Sequence, residues 1–128
     1  RCVYGVFDPV GYGADGKYGN EWDMTIWISD RGIESGRLKD ILTHEAAHAY
    51  SYLVLRGCFV SNGSSFRELA HKRYGDDEIL ADVFVLYYGG KWTNYYKRDN
   101  ISIGDRNWIK NMVDYCNLYQ EALSTLSS

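Results

Sequence analysis

Prolines are nearly missing from this chain, with one in 128 residues, so the ends of its helices have to be sought at its 13 glycines instead. Cysteines are few: Cys2, Cys58 and Cys116 lie too far apart to match any cysteine-based zinc site. No charge of one sign dominates. The net charge is −3 with Lys and Arg scattered, which argues against nucleic-acid binding. Long apolar runs are absent as well. The longest, around Val83 to Tyr88, is far too short to span a membrane. No repeat, linker or shift in composition divides the chain, so residues 1–128 read as one domain, long enough to bury a core. Aromatic residues are plentiful, with 12 Tyr and 4 Trp. Such residues can line a cleft, but a tyrosine-rich core margin explains them equally well.

Histidine is scarce too, and its placement is informative. Two of the three His fall in Thr43-His44-Glu45-Ala46-Ala47-His48, an H-E-x-x-H pattern. A chain drawn at random with these residue frequencies shows the pattern roughly three times in a thousand, so coincidence is a weak explanation. Residues four apart share one face of a helix, so His44 and His48 can aim two imidazoles at one ion. Glu45, beside the first of them, can reach a water on that ion without binding the ion, and so act as general base. The bland alternative is an amphipathic helix with two half-buried His. Leu38, Ile41, Leu42, Ala46, Ala49, Tyr52 and Leu53 are expected to supply apolar surface around the histidines.

This motif resembles that of the zincin superfamily of metallopeptidases. The longer metzincin form is absent, because Ser51 and Val54 stand where Gly and a third His or Asp are needed. The branch with a glutamate as third ligand fits better. Its second motif, E-x-x-A/S-D, is matched by Glu78-Ile79-Leu80-Ala81-Asp82. The resemblance covers residues 22 to 90 and implies a small α+β domain: N-terminal antiparallel strands including an edge strand, then an active-site helix, a third-ligand helix and a C-terminal helix. It implies Zn2+ on His44, His48 and Glu78, with Asp82 accepting a hydrogen bond from a ligand imidazole, His44 being expected. Thirty positions separate His48 from Glu78, more than in well-known members, and require a longer insertion between the two helices. Asp76, Asp77 and His71 remain rival ligands, while Asp76-Asp77-Glu78 also reads as an acidic helix start. For the donor that would stabilise an oxyanion, His71, Tyr74, Tyr95 and Tyr96 stay open.

The elements follow from local signals. Residues 3–7 read as a strand and 11–20 as a glycine-rich turn. Glu21 to Ser29 alternates, with Trp22, Met24, Ile26 and Ile28 on one face. By resemblance, Thr25 to Ser29 would be the edge that holds an extended substrate. Asp30-Arg31-Gly32 reads as a turn, and Ser35 or a residue near it as the cap of a helix from about 36 to 56, ended by Gly57. Residues 58–64 read as a loop. Ser65-Phe66-Arg67-Glu68 is a capping box opening a helix to Tyr74, which Gly75 breaks. Asp76 or Asp77 caps the next helix, closed by Gly89-Gly90. Residues 91–104 are irregular. Asp105 is expected to cap a last helix to about Leu126, its apolar stripe formed by Trp108, Ile109, Met112, Val113, Cys116, Tyr119 and Leu123.

The chain opens on Arg1, consistent with processing or trimming, with any signal or propeptide out of view. In an exported protein two cysteines pair, either Cys58 with Cys116 or Cys2 with Cys58. In a cytoplasmic one all three stay reduced. The expectation is therefore a monomeric extracellular or cell-surface zinc peptidase acting on a peptide or protein substrate. A cytoplasmic regulatory peptidase is one alternative, and a non-catalytic zincin-like binding domain with structural or vestigial zinc is another.

Overall fold

A computed structural model describes residues 4–12 and 18–127, giving the backbone alone at 8–12, 18–24 and 127. Strands β1 (Gly5–Tyr12) and β2 (Tyr18–Ile28) form an antiparallel pair. Helices follow: α1 (Asp30–Glu34), α2 (Leu38–Leu53), α3 (Phe66–Tyr74), α4 (Asp77–Tyr87) and α5 (Ile103–Ser127), with a short 3-10 turn at Leu55–Gly57. The architecture is α+β, as expected.

The register sets Gly5 opposite Ile28 and Phe7 opposite Ile26, with irregularities at Asp8/Val10 and Gly11/Tyr12. Both strands run further into the glycine-rich stretch than expected. Of the expected strand face, the side chains of Trp22 and Met24 lie outside the described residues, while Ile26 and Ile28 are half-buried and Trp27, on the opposite face, is exposed. The hairpin base lies on α2. A Cβ on Gly5 would stand 3.1 Å from Ile41, so glycine permits the close approach.

The Asp30-Arg31-Gly32 turn is instead a short helix, α1. The Ser29 side chain caps it by accepting from the Gly32 N–H at 3.0 Å. Ser35 is therefore not the cap of α2. Its hydroxyl donates to the carbonyl of Gly32, closing α1, and α2 opens at Leu38 without a side-chain cap. The capping box is present: Ser65 Oγ accepts from the Glu68 N–H at 3.1 Å. Gly75, at φ 94°, ends α3, and Asp76 caps α4 by accepting from Ile79 at 2.9 Å. Ser102, not Asp105, takes the cap position of α5, accepting from the Asp105 N–H at 3.0 Å. Asp105 instead gathers the hydroxyls of Tyr74 and Tyr96 and the guanidinium of Arg73.

Helix α4 is the centre of the molecule, with every residue from Leu80 to Leu86 buried. Ile109, Met112 and Cys116 of α5, Ala47 of α2 and Ala70 of α3 join it in one core. Cys58 and Cys116 form a disulfide in that core, which excludes the Cys2–Cys58 pairing; Cys2 itself lies outside the described residues. Leu123, expected in the α5 stripe, is exposed. On α2 the expectation fails more widely, since Leu38, Leu42, Ala46 and Leu53 face outward. The buried face carries Ile41, His44, Glu45, Ala47 and Ser51. Among the described residues no helix is long and apolar enough to cross a membrane.

Candidate metal centre

The site forms where α2 crosses α4. The helical repeat of α2 sets His44 and His48 one turn apart, while the first turn of α4 delivers Glu78 against them. His44 Nε2 lies 3.1 Å from His48 Nε2 and 3.2 Å from Glu78 Oε1, and His48 Nε2 also touches Glu78. These three residues could hold a metal ion, and among the described residues no fourth His, Cys, Asp or Glu joins them.

The remaining ring nitrogens explain why a cation fits. His44 Nδ1 bonds to Asp82 Oδ1 at 2.8 Å, and His48 Nδ1 bonds to Asp77 Oδ2 at 2.6 Å. A carboxylate accepts, so each neutral ring carries its proton on Nδ1 and leaves Nε2 as a bare lone pair. Two such lone pairs and a carboxylate oxygen then crowd one point. Three acceptors held that close repel unless a cation sits among them.

The titration behaviour expresses the same demand. Burial acts to lower the pKa of His44, but its bonds to Asp82 and Glu78 raise it to about 9. Burial acts likewise on His48, which Asp77 and Glu78 raise to about 10. The hydrogen bonds from both histidines hold Glu78 well below the usual carboxylate range. Burial would raise Asp77, yet its bonds from His48, Ser51 and His71 hold it at about 2. Without a metal ion, protons on the two rings supply the missing positive charge.

Glu45 is buried one residue from His44, and burial raises its pKa against the pull of His44 and His48. A backbone hydrogen bond from Phe7 meets its carboxylate. Strand β1 thus borders the site, and Tyr4 to Phe7 line a cleft of about 520 Å³ together with His44, Glu45, His48 and Glu78. Thr25 to Ser29 do not line this cleft, because β1 carries the cleft-side edge and β2 pairs with its other side.

The far wall is the irregular segment after α4. Asp82 Oδ2 accepts backbone N–H groups of Asn94, Tyr95 and Tyr96 at 2.9, 2.5 and 2.9 Å. Asp40 of α2 accepts those of Lys91 and Trp92 at 3.0 and 2.9 Å. These two carboxylates place Trp92 and Tyr95 in the cleft. The Tyr95 ring stacks on His44 with centroids 6.0 Å apart, and its hydroxyl donates to Glu78.

His44, His48 and Glu78 are therefore brought together, Glu45 stands beside them, and Asp82 meets His44 as the motif implied. Of the rival ligands, Asp76 is a helix cap, Asp77 orients His48, and His71 donates to Asp77 at 2.7 Å. Sequence reading misses Asp77 in this role. A signal is present: an imidazole that holds a metal needs an acceptor for its second nitrogen, and Asp77 is the acid adjoining Glu78. Phe7 and Arg67 carry no comparable signal. Comparison of the chain with protein families, with characterised proteins and with solved structures finds no match.

Proposed function

We propose that the chain is a zincin-like peptidase that binds zinc through His44, His48 and Glu78. The observation that carries this reading is the convergence of three metal-facing acceptor atoms with a buried glutamate beside an open cleft. Tetrahedral zinc with bonds of about 2.0–2.1 Å sets its donors roughly 3.3 Å apart; the two spacings from His44 Nε2, 3.1 Å to His48 and 3.2 Å to Glu78, are close to that, while His48 and Glu78 stand nearer and would have to part to admit the ion. An ion there would lower the pKa of water and polarise a carbonyl as a Lewis acid.

Everything else falls to the chain. Glu45 takes a proton from the attacking water and delivers it to the departing peptide nitrogen, a role to which its raised pKa is suited. Asp82 and Asp77 hold the imidazoles with Nδ1 protonated, so that both Nε2 atoms stay available. Tyr95 is the donor for the developing oxyanion. Among the four candidates, Tyr74 and Tyr96 bond to Asp105 and His71 to Asp77, while Tyr95 alone lines the cleft, where its hydroxyl would turn from Glu78 to the substrate oxygen. The edge of β1 that does not pair with β2 borders the cleft and would offer an extended peptide backbone partners beside the Phe7 N–H that Glu45 holds. The Cys58–Cys116 disulfide supports an oxidising compartment, hence an extracellular or cell-surface location. A peptide or protein is the partner on this reading.

Elemental analysis of wild type, His44→Ala and Glu78→Ala tests the ligand set. The expected result is one zinc in wild type and none in either variant. Glu45→Gln then tests the chemistry: zinc is retained while peptide cleavage falls at least about 10²-fold. Unchanged cleavage by Glu45→Gln would exclude Glu45 as the base, and with it a peptidase mechanism of this kind.

A further inference from the structure

One cleft residue is not used by this chemistry. Apart from the histidines, Arg67 is the one cationic side chain among the described residues that line the cleft, whose other ionisable members at that end are Glu45, Asp77 and Glu78. It comes from the first turn of α3. Its Nε donates to Ser51 Oγ at 3.1 Å, and that hydroxyl donates onward to Asp77 Oδ1 at 2.6 Å. The guanidinium is thus anchored through one of its five N–H donors. Among the described residues one carboxylate comes within ion-pair reach, Asp77 at 3.9 Å from Nε, and its oxygens are already taken by His48, Ser51 and His71. Among the described residues nothing else takes its outer donors, and a planar guanidinium so placed is shaped to grip a carboxylate with two parallel bonds. A second guanidinium is close by: Arg56 lies 3.8 Å from the centroid of the Tyr52 ring, and Arg67 lies 6.0 Å from the same ring.

We infer that Arg67 binds a carboxylate of the substrate, making the preferred substrate a peptide with an anionic group a few residues from the bond that is cut. The inference rests on the peptidase reading for the word substrate, although the site it describes is a binding site in its own right. The chain of contacts sets the distance. Arg67 is separated from the ligand His48 only by Asp77, and an extended peptide advances about 3.3–3.6 Å per residue, so the anion falls within about three residues of the metal. The carboxylate comes either from an Asp or Glu side chain or from the C-terminus of the peptide.

The test uses the zinc-loaded Glu45→Gln protein, which holds peptides without cutting them, and fluorescence anisotropy with labelled dodecapeptides. One set carries a single Glu moved along a neutral, C-terminally amidated sequence. A second replaces that Glu by Gln, and a third is the Gln peptide with a free C-terminal carboxylate. The expected result is about tenfold tighter binding for one position of Glu, or for the free C-terminus, with the arm that responds naming the source. Adding Arg67→Gln brings that ratio to within twofold of one. Equal binding of acidic and neutral peptides overturns the inference. So does a preference that survives Arg67→Gln, a loss of affinity that is the same for every peptide, or no binding of any member. If the Arg67→Gln protein fails to hold zinc, Arg67→Lys takes its place. It keeps the charge and loses the two-pronged geometry, so the preference falls several-fold, and an unchanged preference overturns the inference. Cleavage by the wild type is read separately. Peptide discrimination without cleavage rejects the peptidase reading and keeps the anion site, while cleavage without discrimination does the reverse.

Discussion

Asp82 accepts on both oxygens, and Asp82→Asn separates its two duties. The residue is fully buried, with Oδ1 on His44 Nδ1 and Oδ2 on three backbone N–H groups of residues 94–96. An asparagine of the same shape keeps one acceptor and gains a donor. If its NH2 faced the three amides, those N–H groups would lose their acceptor at a cost of about 1–3 kcal/mol each. Turning the amide oxygen toward them avoids that and points the NH2 at His44. His44 must then move its proton from Nδ1 to Nε2, the nitrogen that faces the metal. That proton has to leave before a metal can bind. Zinc affinity is therefore expected to fall about 10–100-fold, or about 1.4–2.7 kcal/mol, while residues 91–96 stay in place. Competition against a chromophoric chelator at fixed pH measures the affinity. Nitrogen-15 shifts of the metal-free protein, recorded above about pH 9 where the wild-type His44 ring is neutral, report its tautomer directly. An affinity within twofold of wild type, with Nδ1 still protonated, would refute the account of how His44 is oriented.

The same contacts predict three further outcomes. The disulfide closes a separation of 58 residues, so replacing Cys58 and Cys116 together by Ser is expected to cost about 4 kcal/mol, read from urea unfolding; a loss under about 1 kcal/mol would contradict it. In the metal-free protein the raised histidines stabilise the fold fully below pH 6.5 and lose that contribution as the pH climbs to about 9–10. Depressed Asp77 and Glu78 contribute above about pH 4.5 and lose it as the pH falls, so thermal melts in chelator should peak near pH 5–6, and a flat profile between 6.5 and 9 would be inconsistent. Because zinc requires neutral imidazoles, its protection against melting should grow over the same alkaline range, which melts with and without the ion would check.

The helices after residue 65 are legible because their ends carry local chemistry. Ser65 and Glu68 form a cap, Gly75 takes a positive φ, and Asp76 restarts the chain. Each signal acts over three or four residues and needs no tertiary partner. The faces of α2 are misleading for the opposite reason. The face that could hold a metal buries His44 and Glu45 where leucines would ordinarily go, and Leu38, Leu42 and Leu53 are left outside. Hydrophobic periodicity then marks the wrong side, as expected where function overrides packing. Helix α1 is only five residues long, too short to show a period. Asp105 looks like a cap because acids favour a first turn, whereas its partners are Arg73 and two tyrosines distant in sequence. The motif residues themselves are readable, since spacing along one helix places His44 and His48. That β1, rather than β2, borders the cleft depends on how the hairpin lies on α2.

The wall formed by residues 91–96 has no helix or strand of its own and is tied down by five amide hydrogens on two carboxylates. An anchor of this kind is indifferent to side-chain identity. Lys91, Trp92 and Asn94 could each be exchanged and the main chain would still be held, so that part of the wall can acquire new shapes without disturbing His44 and Glu78, which Tyr95 touches. What the wall cannot accept at its five tethered positions is a residue that has no amide hydrogen. The cleft is thus free to diversify in its chemistry while its course is dictated by Asp40 and Asp82. The scarcity of proline in the chain accords with a backbone whose hydrogens carry that much of the architecture.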